Sequence, residues 1–216
     1  MRIAFIFAHP DDESLSAGGT IAKYVKKGYI VSTLCLTSTP ERKSEYFQAI
    51  KILGVKKPVI YDFQEVKSDI RAIKEKLIGF LLDFRPEVIV THTKEDYHLD
   101  HQSTFDVVLE AIEWAAHITQ YPNAHLVSRL YTAETTFLIP NPHILVDISD
   151  TYTLKEKAIG YYKSQLSKGG EDFYIKFHKY RTLMRGTQAS TEHAEAYKQI
   201  SLKKNSPFYE KKCSEL

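Results

Sequence analysis

Cysteine is nearly absent. Only Cys35 and Cys213 occur in 216 residues, so neither a disulfide framework nor a cysteine-rich metal site can be built, and a reducing compartment is expected. No apolar run approaches the eighteen or so residues of a membrane span. The segment Ile3-Ala4-Phe5-Ile6-Phe7 is too short for a signal-peptide core, so the expectation is a cytoplasmic protein with no membrane partner. An excess of one charge is also missing. The 29 basic and 27 acidic residues leave a formal charge of +2, and no stretch forms the concentrated basic face that nucleic acid requires. The nine glycines include Gly18-Gly19 but make no Gly-x-Gly-x-x-Gly or Walker pattern after a strand, which argues against a dinucleotide enzyme. What remains is ordinary globular composition, 43% hydrophobic and 26% charged, in a length that suits one domain over 1–216.

Four short, β-branched apolar segments, Ile3 to Phe7, Ile30 to Leu36, Val59 to Tyr61 and Val88 to Thr91, read as strands buried on both faces. Between them, Gly18 to Lys27, Glu41 to Leu53 and Asp69 to Phe84 carry apolar residues at helical spacing, with Gly28, Gly54 and Pro86 as stop signals. This alternation predicts an α/β fold, doubly wound and Rossmann-like, with a mainly parallel sheet and helices on both faces. Further on, the pattern predicts a helix over Val107 to Ala116 and strands over Leu126 to Tyr131 and Ile144 to Ile148. Helices are predicted from Asp150-Thr151 to about Ser164, over Glu171 to Met184 and over Thr191 to Ile200, before a charged tail.

Ligands in such sheets bind beyond the carboxyl ends of the strands, where two clusters fall. His9 and Asp12 lie in one turn after the first strand, with Pro10 restricting the backbone between them. His98 and His101 follow the fourth strand, three residues apart, so a helix starting there would project both from one side of its first turn. A hydrolytic zinc takes three nitrogen or oxygen ligands and keeps one place for water. We assign His9, Asp12 and His101 as ligands and His98 to hydrogen-bond or protonate the reacting oxygen; spacing alone permits the reverse for the two histidines. Fe2+ or Co2+ would suit the same donors.

A lone histidine at a strand end is usually structural, but this many imidazoles and carboxylates at one edge would be costly without a cation. Asp11 is placed to act as general base toward water whose pKa the metal lowers to about 7, and then to protonate the departing amine. Asp100 either orients His98 or caps the helix. Glu13 either supports the site or is an acid favoured by the helix dipole. His92, ending the fourth strand, is assigned to the pocket wall.

The run Ala8-His9-Pro10-Asp11-Asp12-Glu13 together with His98-Leu99-Asp100-His101 resembles the LmbE-like (PIG-L) zinc N-deacetylases, which act on N-acetylglucosamine-containing or related amino sugars. The first motif matches in full. The second keeps the family's His-x-Asp-His, with Leu99 where many members carry proline. Arg42-x-x-Glu45 resembles the family's Arg-x-x-Glu helix, and weaker matches run through Asp147-Ile148-Ser149, Lys155 to Gln165, Arg185-Gly186 and Ala194-Glu195-Ala196-Tyr197. The resemblance is closest to small bacterial members such as the bacillithiol-pathway deacetylases. It implies the same ligands, base and His98 role, with Arg42 and Glu45 toward the substrate; an exposed helical ion pair is the alternative reading of those two.

The resulting expectation is a zinc-dependent hydrolase that removes an acetyl or other acyl group from the amide nitrogen of a small polar substrate, such as an N-acetylglucosamine conjugate. Two alternatives stand beside it. One is an amidase with the same metal machinery acting on a thiol conjugate or cyclic imide. The other is a catalytically silent protein that binds a sugar or metal. A homo-oligomer is compatible with either.

Overall fold

Strand β1 (Arg2–Phe7) is apolar without interruption after its first residue because both of its faces are covered. In the structure, a computed structural model that describes residues 1–167 and 173–202, Ile3, Phe5 and Phe7 point to one side of the sheet and Ala4 and Ile6 to the other. The first face receives Ala17 and Ile21 of α1 (Asp12–Lys26), Ile50 and Leu53 of α2 (Pro40–Leu53) and Ala158 of α5 (Tyr152–Ile159). The second receives Ile73 and Leu77 of α3 (Ile70–Phe84) and Val107 and Ala111 of α4 (Leu99–Ala115). Two apolar layers therefore sandwich one sheet.

Strands β2 (Ile30–Thr37), β3 (Val59–Phe63), β4 (Val88–His92) and β5 (Arg129–Ala133) run parallel with β1. Two more, β6 (Ile144–Asp147) and β7 (Ala194–Ile200), complete a seven-stranded sheet in the order β3-β2-β1-β4-β5-β7-β6. Strand β7 is antiparallel to both neighbours. The sheet is thus mixed, and the chain leaves β1 toward β2 but returns on its other side as β4. That reversal opens a crevice beyond the carboxyl ends of β1 and β4, where ligands bind in doubly wound folds.

The ends of α2 are written in its sequence. The Thr39 hydroxyl accepts from the Arg42 amide at 3.4 Å, Pro40 opens the helix, and Gly54 closes it at φ 81°. Elsewhere the periodic reading fell short. Helix α1 begins at Asp12 rather than Gly18, because every residue from Asp12 to Ala22 is buried and no polar face sets a period. Helix α4 begins at Leu99 rather than Val107, since its first two turns carry the polar residues of the crevice. The helix expected from Asp150-Thr151 to about Ser164 gives way to a short helical turn (Ser149–Thr151) and α5, which stops at Ile159, and α6 (Lys163–Leu166) follows separately.

The helix expected over Thr191 to Ile200 is a correction, because these residues include β7. Ala, Glu, Lys and Gln favour helix locally, but the backbone groups of this segment complete ladders to both β5 and β6, and that tertiary pairing overrides propensity. Helix α7 (Phe173–Ala189) precedes it; the start expected for that helix at Glu171, like the charged tail beyond residue 202, lies outside the described residues.

Charged residues from these later elements grip α1. Glu195 of β7 accepts from the amides of Gly19 at 3.0 Å and Thr20 at 2.8 Å, while Lys155 donates to the Leu15 carbonyl at 2.7 Å and to Glu195 at 2.6 Å. Arg181 of α7 reaches the same Leu15 carbonyl. All three charges are buried, and they hold the helix that carries Asp12 at its first position. Gly19 allows the approach on this side, since a Cβ there would overlap the Ile148 side chain. No helix among the described residues is long and apolar enough to cross a membrane.

Candidate metal and catalytic site

The segment leaving β1 is pinned at successive residues. The Ala8 amide donates to His92 Nε2 at 3.0 Å, the Ala8 carbonyl accepts from the Thr37 amide at 2.9 Å, and the His9 amide donates to Asp12 Oδ2 at 2.9 Å. Beyond them Asp11 sits at φ 119° and ψ −36°, a conformation that costs a non-glycine residue on the order of 1–3 kcal/mol. The turn directs the adjacent carboxylates of Asp11 and Asp12 to different partners.

Asp12 Oδ2 is the centre of the cluster. His9 Nδ1 lies 3.2 Å from it, His101 Nε2 3.4 Å and His92 Nε2 3.2 Å. One ligand atom from each of His9, Asp12 and His101 falls within 4.8 Å of the others. The remote nitrogens of His9 and His101 both face carboxylates, the first in a hydrogen bond and the second at ion-pair distance. His9 Nε2 meets Asp100 at 3.1 Å, and His101 Nδ1 meets Asp96 at 3.0 Å. A carboxylate behind each imidazole fixes its ring and raises its basicity, the usual arrangement behind histidines that bind metal. Two imidazoles and one carboxylate are the donor chemistry of zinc and related divalent ions, so the residues fit a metal.

The rings of His92 and His101 stack at 3.7 Å, yet the two have different roles. Because His92 Nε2 accepts the Ala8 N–H, its proton belongs on Nδ1, 3.1 Å from Thr135 Oγ1. This tautomer follows from the network. Burial, helped by the charge of His101, pushes His92 down to about 4, so it stays neutral. Burial also works against protonation of His9 and His101. In His9 the hydrogen bonds to Asp100 and Asp12 overcome it and lift the ring to about 9, and in His101 the charge and hydrogen bond of Asp12, with Asp96, lift it to about 10. Asp12 is itself held well below the usual carboxylate range: burial works to raise it, but the charge of His101 and the hydrogen bonds from His101 and His9 outweigh that. These fields favour positive charge between the three groups.

Asp11 is raised to about 7 by burial and the Asp12 charge, against the pull of Arg42. Arg42, projecting from α2, donates to Asp11 Oδ1 at 2.7 Å and to the Pro10 carbonyl at 2.5 Å. His98 opens α4 as its N-cap, Nδ1 accepting from the Asp100 amide at 3.2 Å. That bond leaves the proton on Nε2. Its ring stands 5.0 Å from His9 and 4.6 Å from His101, and burial together with the charges of His101 and His9 lowers its pKa.

Three expectations need correction. The Asp100 side chain neither orients the His98 ring nor caps α4; only its backbone amide meets that ring. Its Oδ2 faces His9 while Oδ1 accepts from the Val66 amide at 3.1 Å, and the cap is His98 itself. His92 lies beneath Asp12 with no exposed surface to offer a substrate. Glu45 makes no pair with Arg42, since its two oxygens accept from the Ser164 amide at 2.8 Å and hydroxyl at 2.6 Å.

Asp96 was not singled out by the sequence reading. Fully buried, it accepts from the His98 amide at 3.0 Å and backs His101. Its position two residues before His98 was the available signal. Asp96→Asn is expected to weaken metal binding by about 10–100-fold with the fold intact, measured by competition with a chromophoric chelator.

The chain is similar to a known family and to several known proteins. The family model described as "PIG-L: GlcNAc-PI de-N-acetylase" matches residues 4–112, a span that includes both motifs. "Probable N-acetyl-alpha-D-glucosaminyl L-malate deacetylase 2" of Bacillus cereus is 24% identical over 197 residues, covering 81% of this chain and 88% of the relative. "1D-myo-inositol 2-acetamido-2-deoxy-alpha-D-glucopyranoside deacetylase" of a Mycobacterium species is 30% identical over 156 residues, 53% of this chain and 51% of the relative, so the chain spans about half of that protein. Among solved structures, the conserved protein TT1542 from Thermus thermophilus superposes with a TM-score of 0.83 at 24% identity, covering 95% of this chain and 97% of that one.

Proposed function

Because the chain belongs to the PIG-L family, we propose that it is a zinc-dependent N-deacetylase that releases acetate from a small N-acetylglucosamine conjugate. The observation that carries this reading is the convergence of His9, Asp12 and His101, both imidazoles backed by carboxylates, beside an acid lifted to about 7. The related deacetylases of N-acetylglucosaminyl malate and of the inositol glucosaminide support the substrate class. The scarcity of cysteine supports a reducing, cytoplasmic setting.

A divalent cation held by His9, Asp12 and His101 would supply Lewis-acid chemistry, acidifying water and polarising the amide carbonyl. The chain's own groups do the rest. Asp11 takes a proton from the attacking water, and a base near 7 is matched to that task at neutral pH. Arg42 fixes the Asp11 carboxylate through Oδ1, leaving Oδ2 for the proton. His98 Nε2–H donates to the carbonyl oxygen as negative charge gathers there. As the C–N bond breaks, the proton on Asp11 passes to the departing nitrogen, and acetate and free amine leave.

The test is incubation of zinc-loaded protein with a panel of N-acetylglucosamine glycosides and of unrelated N-acyl amines, following free amine and acetate. Turnover confined to the glycosides is expected. Cleavage confined to the unrelated amides would overturn the sugar assignment.

A further inference from the structure

Glu13 is fully buried one residue beyond the candidate ligand Asp12. Apart from the Asp11 amide, it touches no group of the reacting site. Its Oε1 accepts from the Tyr162 hydroxyl at 2.5 Å and from the Ser14 hydroxyl at 2.7 Å. Its Oε2 accepts from the Asp11 amide at 3.3 Å and lies 3.5 Å from Cys35 Sγ, whose thiol also faces the His9 carbonyl at 3.4 Å. Each of these contacts is therefore either a hydroxyl or thiol that holds the carboxylate, or the backbone of the residue that needs holding.

That residue is Asp11, the one member of the turn at strongly positive φ. A backbone in that region persists only where its surroundings over-determine it. Two arms do so here. Glu13 grips the Asp11 amide, and from the other side Arg42 grips the Asp11 carboxylate and the Pro10 carbonyl. Both arms rest on the stretch that leads from the α5–α6 link into α6. Tyr162 supplies the hydroxyl to Glu13, and two residues later Ser164 holds Glu45, which lies one turn along α2 from Arg42. A segment 149 residues beyond Glu13 in sequence thus supports both arms of the turn.

We propose that Tyr162 and Glu13 are positioning residues, a buried hydrogen-bonded pair that holds the Asp11 backbone in the conformation that aims its carboxylate at the reacting water. The inference rests on the reading of Asp11 as the base. It assigns Tyr162 and Glu13 no contact with the substrate and no place on the metal. Misaiming a base by a fraction of an ångström to an ångström lowers the chemical step while leaving binding alone.

The test is Tyr162→Phe, which removes one oxygen from a packed site, assayed in the zinc-loaded enzyme beside Asp11→Asn on whichever glycoside the panel identifies. The expected result is a kcat lower by about ten- to a hundred-fold, KM within about twofold of the parent, unchanged zinc content, and a Tm lower by only a few degrees, as the loss of one buried hydrogen bond entails. Glu13→Gln, which keeps an acceptor for the Asp11 amide, should retain more of kcat than Glu13→Ala. A Tyr162→Phe enzyme with parental kcat would overturn the proposal, as would one whose kcat loss is matched by loss of zinc or by unfolding at the assay temperature. Should Tyr162→Phe not fold, Ser14→Ala removes the other hydroxyl from the same oxygen and carries the same expectations and the same overturning results. An Asp11→Asn enzyme that stays active fails the base reading itself, a result separate from these.

Discussion

Asp11→Asn should lower kcat by about 10²–10⁴-fold, the usual worth of a positioned acid or base, while the protein keeps its metal and KM. Asparagine preserves the side-chain shape, and its Oδ1 still accepts from Arg42, as the Asp11 carboxylate does at 2.7 Å. What is lost is the basic oxygen. The three groups that converge on the candidate metal position, His9, Asp12 and His101, are untouched. Zinc analysis by inductively coupled plasma mass spectrometry beside steady-state kinetics checks this. Near-parental turnover would remove Asp11 from the mechanism.

Asp12→Ala should abolish stoichiometric metal binding. Asp12 Oδ2 is the point on which the His9, His92 and His101 nitrogens converge at 3.2–3.4 Å, and without it the imidazoles lose their shared anion. In the parent, zinc present at about a thousand times its Kd should add roughly 4 kcal/mol of stability by mass action. The variant should show no zinc-dependent rise in Tm and no turnover. A calorimetric scan with and without zinc reads the first effect independently of catalysis. A variant whose Tm still climbs with zinc as the parent's does would place the ion elsewhere.

The parallel half of the sheet was readable because β1, β2 and β4 are buried on both faces and announce themselves as apolar runs, and because α2 carries its own start and stop at Thr39, Pro40 and Gly54. The mixed half was not. Ala194 to Ile200 is a strand by virtue of its neighbours β5 and β6, and nothing local in Ala-Glu-Ala-Tyr-Lys-Gln says so.

The site divides along the same line. The pairs His9/Asp12 and His98/His101 were visible because each lies within one turn, and the strand order then accounts for their meeting. The supporting contacts cross the fold. Asp100 to His9 spans 91 residues, Tyr162 to Glu13 149, and Ser164 to Glu45 119. Spacing carries no signal at such separations. The alternative of a helical ion pair between Arg42 and Glu45 fails for the same reason, each side chain having found its partner outside α2.

The most direct test of the account is one assay, acetate release from N-acetylglucosamine glycosides by the same preparation as purified, after exhaustive chelation, and after zinc is restored. Turnover should disappear with the metal and return in proportion to the zinc bound. Turnover at an equal rate in the metal-free protein, or none from any glycoside when the site is fully zinc-loaded, would contradict it.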